Sequence, residues 1–197
     1  MKTLITLILF ISFMKVSAQN LKTYEPFIRD NFSELLNEFP HLDFDNFVIE
    51  TSSEIENDDF PPFEIDDWNL YLQNSEEFIL YNPSKTFAVD YNSYGDVDQE
   101  TDLLEIGTRN KTRIHFCGSS CAFNDGKWVN DYILILSGGQ IDYDSYDELT
   151  KSYRVYAMIM LVDLANKINT IYLDKEDFIN NITAIKSSNY IINQNLY

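Results

Sequence analysis

Apolar residues recur along this chain at two spacings, and each spacing predicts a different element. Between residues 20 and 39 they fall at Ile28, Phe32, Leu35, Leu36 and Phe39, one face of a 3.6-residue period, which predicts an amphipathic helix. Pro26 sits in its first turn, where a missing N–H costs little, and Pro40 stops it. From Leu42 to Ile49 the spacing becomes alternation, predicting a short strand. Further strands are predicted over Leu70–Leu72, Glu77–Tyr81, Thr86–Tyr91, Asp102–Ile106 and Arg113–Cys117, with turns at Asn82–Lys85 and Arg109–Lys111. Ile133–Leu136 is an unbroken apolar run too short for a typical helix. It is flanked by Asn-Asp and Ser-Gly-Gly, and so reads as a strand. Arg154–Val162 is nearly continuous apolar, as expected of a strand buried on both faces, and a turn at Asn166-Lys167 leads to a strand over Ile168–Leu173. A second helix is predicted over Lys175–Lys186, capped by Asp174, with Asp177 three positions on and Phe178, Ile179, Ile182 and Ile185 buried.

These elements predict a mainly β fold with flanking helices (α+β), built of antiparallel sheets with a helix at each end. The chain also repeats itself faintly. LLEIGTRNKTRIHF (Leu103 to Phe116) and MLVDLANKINTIYL (Met160 to Leu173) share an apolar–acidic–apolar strand, an Asn-Lys turn and an alternating return strand. Each follows a strand and an acidic loop. Such a unit resembles a blade of a β-propeller, over roughly residues 68–173. Closed propellers typically need four or more blades of about forty residues, and this chain has room for about two. The expectation is either a small antiparallel sheet assembly or a fold of two blade-like units.

The N-terminus adds a compartment. Lys2, the apolar run Thr3–Phe13 and the small residues Val16-Ser17-Ala18 have the layout of an export signal over residues 1–18, leaving 19–197 as a single domain. Gln19 follows the expected cut where a lipid anchor would need cysteine. Ending in Val-Ser-Ala-Gln-Asn, this segment resembles the N-termini of secreted proteins of Bacteroidota. The resemblance implies a periplasmic or extracellular location. No later stretch approaches the roughly twenty apolar residues that a membrane span needs.

Charge narrows the partners. The net charge is −18, and removing the signal, with Lys2, Lys15 and no acid, makes the chain more negative still. Such a surface repels nucleic-acid phosphates and anionic membranes and favours basic proteins or divalent cations such as calcium. Solubility alone also accounts for acidity. Fourteen Phe, thirteen Tyr and two Trp argue against disorder of the whole chain. The acids gather in loops expected over Glu50–Asp67, Ser93–Glu100 and Gln140–Glu148. Asp96, Asp98, Glu100 and Asp102 alternate as in the first half of an EF-hand, but Thr101 replaces the glycine of its sixth position and Gly107 the glutamate of its twelfth. This is no EF-hand, and what remains is a weak calcium site as the one cofactor expectation.

The stretch Thr112–Gly139 holds both cysteines, His115 and Trp128. In an oxidising compartment Cys117 and Cys121 are expected to form a disulfide that pins the loop between two strands. Three intervening residues rule against a redox Cys-x-x-Cys motif. His115 with the two cysteines would supply three zinc ligands, but no fourth is evident and the disulfide takes precedence. The Gly-x-Ser-x-Gly elbow, the His-Glu-x-x-His helix and glycine-rich phosphate loops are all absent.

Two classes of function fit. The first, and the favoured one, is an exported non-enzymatic binding protein, an inhibitor, immunity protein or adaptor for a basic partner. Tyr91, Tyr94, Tyr143 and Tyr146, with Asp142 and Asp144, would form its contact surface, because tyrosine offers contact area and a hydroxyl at little entropic cost. The second is a hydrolase acting on carbohydrate or peptidoglycan with two carboxylates, recognisable by a cleft and one carboxylate strongly raised in pKa.

Overall fold

A computed structural model describes residues 20–56, 62–92 and 99–180. The signal segment and Lys186 lie outside them. Nine strands form two antiparallel sheets among the described residues. Strands β1 (Phe47–Glu54), β6 (Cys121–Trp128), β7 (Ile133–Asp147), β8 (Ser152–Asp163) and β9 (Ile168–Asn180) make a five-stranded sheet in the order β1-β9-β8-β7-β6. Strands β2 (Ile79–Tyr81), β3 (Phe87–Asp90), β4 (Gln99–Glu105) and β5 (Asn110–Gly118) make a four-stranded meander. The two repeats are thus β4–β5 and β8–β9, each the last hairpin of a four-stranded meander, and β1 is added to the edge of the second.

The core explains the stacking. Alternate residues of β8 serve two clusters: Val155, Ala157, Ile159 and Leu161 pack under the N-terminal helices, while Met158, Met160 and Val162 pack against Val89, Leu103 and Ile114 of the other sheet. That is why the β8 run is continuously apolar. A third, smaller cluster joins Trp68 to Ile79, Ala88 and Leu104 on the outer face of the four-stranded sheet. Helix, sheet, sheet and helix therefore stack as four layers. Gly138 is required where β6 crosses β7 closely, since a Cβ there would lie 1.8 Å from the Ala122 carbonyl oxygen.

The N-terminal helix is present in two pieces, α1 (Glu25–Asn31) and α2 (Ser33–Glu38), after a 3₁₀ turn at Leu21–Tyr24. It breaks at Phe32, whose backbone leaves the helical region (φ −118°, ψ 63°) while its side chain is completely buried. Helices this short are not stable alone. Burial of Phe32, Ile28, Leu35 and Phe39, each worth about 1.5–3 kcal/mol, holds them on the sheet.

Four expectations are corrected. The strand expected over Leu42–Ile49 begins only at Phe47, and it runs on through Glu50–Glu54, so the first acidic loop starts later. Leu70–Leu72 belongs to helix α3 (Ile65–Asn74), because the periodic positions are Trp68, Tyr71 and Leu72, and Asp66 and Asp67 favour its N-terminal turn. The third acidic loop, Gln140–Glu148, is strand as far as Asp147; only the turn after it is loop. Over Lys175–Asn180 the chain is strand, not helix. Asp174 does accept from the N–H groups of Glu176 (3.0 Å) and Asp177 (3.1 Å), the bonds of a helix cap, but they fold a bulge where the β8–β9 register shifts.

Candidate functional site

Three groupings of polar and aromatic side chains emerge from this frame. The largest lies where β7 and β8 run past the last buried stretch of their sheet. Ile133–Gly139 is buried, whereas Tyr143, Asp144, Tyr146 and Asp147 are exposed. Tyr143 and Tyr146 are 48% and 41% accessible. Both pack on Tyr153 of β8, with ring centroids at 5.3 Å and 4.8 Å. The Tyr143 hydroxyl donates to the Ser119 carbonyl at 3.0 Å, which ties this arm to the cysteine turn. Beside it runs an open groove of about 360 Å³, walled by Tyr143 and Tyr156 and edged by Asp142, Asp144, Glu50 and Lys175. Lys175 is engaged by Glu50 at 2.6 Å. Asp142 and Asp147 also have local duties: they accept from the N–H groups of Asp144 (3.1 Å) and Leu149 (2.8 Å), and the latter bond holds Asp147 below the usual carboxylate range.

The second grouping is a buried ion network under α3. Asp90, Glu100 and Asp102 are all essentially inaccessible. Lys111 Nζ lies 2.6 Å from Asp102 Oδ2 and 3.7 Å from Glu100 Oε1, and Arg113 Nε lies 3.1 Å from Glu100 Oε2. Tyr71 of α3 donates to Asp90 Oδ2 at 2.7 Å. Burial raises the Asp90 carboxyl above its ordinary range, against the hydrogen bonds from Tyr71 and Asn92 that pull it down. The Tyr71 hydroxyl is raised too, by burial first and by Asp90 second. The alternation of Glu100 and Asp102 does place them on one sheet face, but facing Lys111 and Arg113 across the hairpin. Asp96 and Asp98 lie outside the described residues.

The third is the cysteine turn. Cys117 and Cys121 form a disulfide with Cα atoms 5.8 Å apart. Ser119 and Ser120, after a left-handed Gly118 (φ 57°), carry the chain from β5 in one sheet to β6 in the other, so the bridge staples the two sheets. His115 Nε2 stands 3.8 Å from Cys121 Sγ, its ring edge-on to Phe123 at 5.7 Å, and burial pushes its pKa down to about 4. Among the described residues, His115, Cys117 and Cys121 are the group whose ligand atoms all lie within 4.8 Å of one another.

Of the residues expected to bind a partner, Tyr143, Tyr146, Asp142 and Asp144 come together. Tyr91 does not join them; it is half-buried, edge-on to Phe78 at 5.8 Å and packed against the core between the sheets. Tyr94 lies outside the described residues. Sequence reasoning missed Tyr153 and Tyr156, which complete the arm, and Asp90, Lys111 and Arg113, which complete the network. The legible signal for the network was the opposite charge at alternate positions on the two arms of one hairpin, Glu100 and Asp102 against Lys111 and Arg113. Among the described residues no helix is long and apolar enough to cross a membrane. Comparison of the chain with protein-family models, curated proteins and solved structures finds no match.

Proposed function

We propose that this protein is an exported, non-enzymatic binding module that takes a basic polypeptide on the β7–β8 arm, as an inhibitor, immunity protein or adaptor would. The observation that carries this is the pair of exposed rings Tyr143 and Tyr146, braced on Tyr153 and bordered by Asp142 and Asp144. Rings held by a neighbour lose little entropy on binding, and tyrosine faces attract lysine and arginine. A net charge of −18 steers such partners to the surface. The disulfide suits a periplasmic or extracellular location. The hydrolase reading draws less support, because Asp90, Glu100 and Asp102 are buried under α3 and two of them are occupied by cations.

Isothermal titration with a lysine/arginine-rich peptide tests the reading. Tyr143→Ala/Tyr146→Ala should weaken binding by about tenfold or more, roughly what losing an interface hot spot costs. Tyr132→Ala, at a still more exposed tyrosine in the β6–β7 turn, should leave it unchanged. Equal affinity in all three proteins would mean that the peptide reads bulk charge and that the arm is no binding surface.

A further inference from the structure

We infer that reduction of the Cys117–Cys121 disulfide opens a three-ligand site, His115, Cys117 and Cys121, for a thiophilic closed-shell metal ion, Zn²⁺ or Cu⁺. The geometry is close to what such an ion needs. A tetrahedral zinc with Zn–S of about 2.3 Å and Zn–N of about 2.05 Å sets its sulfur and nitrogen ligands roughly 3.6 Å apart and two sulfurs roughly 3.8 Å apart. His115 Nε2 is already 3.8 Å from Cys121 Sγ, and the three ligand atoms fit within 4.8 Å. The two sulfurs must separate and Cys117 must settle at bonding distance from His115, and Cα atoms 5.8 Å apart allow both by side-chain rotation. Three residues between the cysteines is a spacing that structural zinc sites use. His115 lies on β5 and Cys117 at the register shift near its end, and the turn brings Cys121 back so that the three ligand atoms gather within 4.8 Å.

The turn does not depend on the S–S bond for its shape. Ser120 Oγ donates to the Cys117 carbonyl at 2.6 Å, Ser120 N to the same oxygen at 3.3 Å, and Ile141 N to the Ser120 carbonyl at 2.7 Å. Gly118 supplies the left-handed residue that any other side chain would strain. The reduced thiols therefore stay gathered. Three protein donors leave a fourth position for water or an outside ligand.

The exchange balances simply. A dithiol donor gives two electrons and two protons, becoming a disulfide itself, and Cys117 and Cys121 become thiols. The ion then displaces the thiol protons to solvent and bonds the thiolates. Oxidation reverses this and expels the ion, so disulfide and metal are mutually exclusive.

The test uses the full chain, oxidised or reduced with a phosphine that is then removed. Co²⁺, as a coloured stand-in for Zn²⁺, should give a thiolate charge-transfer band at one equivalent in the reduced protein only, and Zn²⁺ should bleach it. Competition against a Cu⁺ chelator then tells which ion is held more tightly. His115→Ala should keep the band but lose about tenfold or more in affinity, and Cys117→Ser/Cys121→Ser should lose both. The inference is overturned if reduced protein binds no better than the double serine variant, or if His115→Ala binds as well as the parent. Circular dichroism covers the case in which reduction unfolds the chain: Zn²⁺ must then restore the β spectrum, and its failure to do so is equally decisive against the site.

Discussion

Asp90 is held under α3 by hydrogen bonds rather than by an ion pair, and this decides how it responds to pH. Tyr71 donates to one oxygen and the Asn92 N–H to the other, yet burial outweighs both and raises the carboxyl. The folded protein therefore holds that proton more tightly than the unfolded chain does. Stability from this group is greatest below the ordinary carboxylate value and is lost as pH rises through the raised one. Asp90→Asn keeps an oxygen acceptor and removes the charge. Urea unfolding of the two proteins should agree most closely near pH 3 and diverge towards pH 7 in favour of the variant, by about 1.4 kcal/mol for each pH unit of elevation. A parallel pair of curves would mean that Asp90 titrates normally. Its neighbours Asp102 and Glu100 differ in kind, because Lys111 and Arg113 compensate them directly. Removing a cation there would leave a buried charge, a loss of about 3–5 kcal/mol.

Hairpin turns give several acids a structural role. Four of them begin on an acid or amide and end on a left-handed cation: Asn82 to Lys85 (φ 57°), Glu105 to Arg109 (φ 61°), Asp147 to Lys151 (φ 53°) and Asp163 to Lys167 (φ 54°). In each, the opening side chain accepts a bond from within the turn or from the residue just after it: Thr86 N to Asn82, Thr108 Oγ1 to Glu105, Leu149 N to Asp147 and Asn166 N to Asp163. These side chains serve the turns. The left-handed conformation costs a non-glycine residue about 1–2 kcal/mol. Lys151 is exposed, so Lys151→Gly should raise stability by about 0.5–1 kcal/mol, readable as a higher melting temperature. A lower one would show that the Lys151 side chain has a role of its own. The turns at Asn82–Lys85 and Asn166-Lys167 were legible because local chemistry makes them. Helix α3 was not, because its apolar residues do not keep to one face, Ile65 and Leu70 being exposed, and only the outer face of the four-stranded sheet, with Ile79, Ala88 and Leu104, gives Trp68 a place to be buried.

Over the whole molecule, a net charge of −18 makes self-repulsion the leading electrostatic term. The exposed pairs Lys22–Asp45, Arg29–Glu25 and Lys175–Glu50 contribute little by comparison, and the Lys111 and Arg113 network is partly shielded from salt. Raising sodium chloride to physiological strength, where the screening length is about 8 Å, should therefore stabilise the fold, by on the order of 1 kcal/mol. A melting temperature that falls with salt would mean that ion pairs outweigh repulsion. The same salt should weaken binding of a basic partner, so stability and affinity are expected to move in opposite directions. The candidate surface was half visible in the sequence at this scale. Tyr143, Tyr146, Asp142 and Asp144 are neighbours in the chain, whereas Tyr153 reaches them only across the β7–β8 hairpin.

What the sequence by itself determined is what near neighbours in the chain decide: the β-rich character, the two repeated hairpins, the turns at Asn82–Lys85 and Asn166-Lys167, the doubly buried β8 run and the pairing of its two cysteines. The turn expected at Arg109–Lys111 lies earlier, with Asn110 and Lys111 already in β5. Periodicity, φ preference and a short loop act within a few residues, so they can be read there. Tertiary structure decided the rest. Residues 178–180 continue the strand because Arg154, Val155 and Tyr156 of β8 offer them partners, although Asp174 makes the bonds of a helix cap. Glu100 and Asp102 became half of a buried ion network rather than a surface cation loop because β5 brings Lys111 and Arg113 opposite them. His115 stands beside the disulfide because the turn that changes sheets folds Cys121 back to it. Each outcome depends on which face meets which, and that is set by packing between segments far apart in the chain.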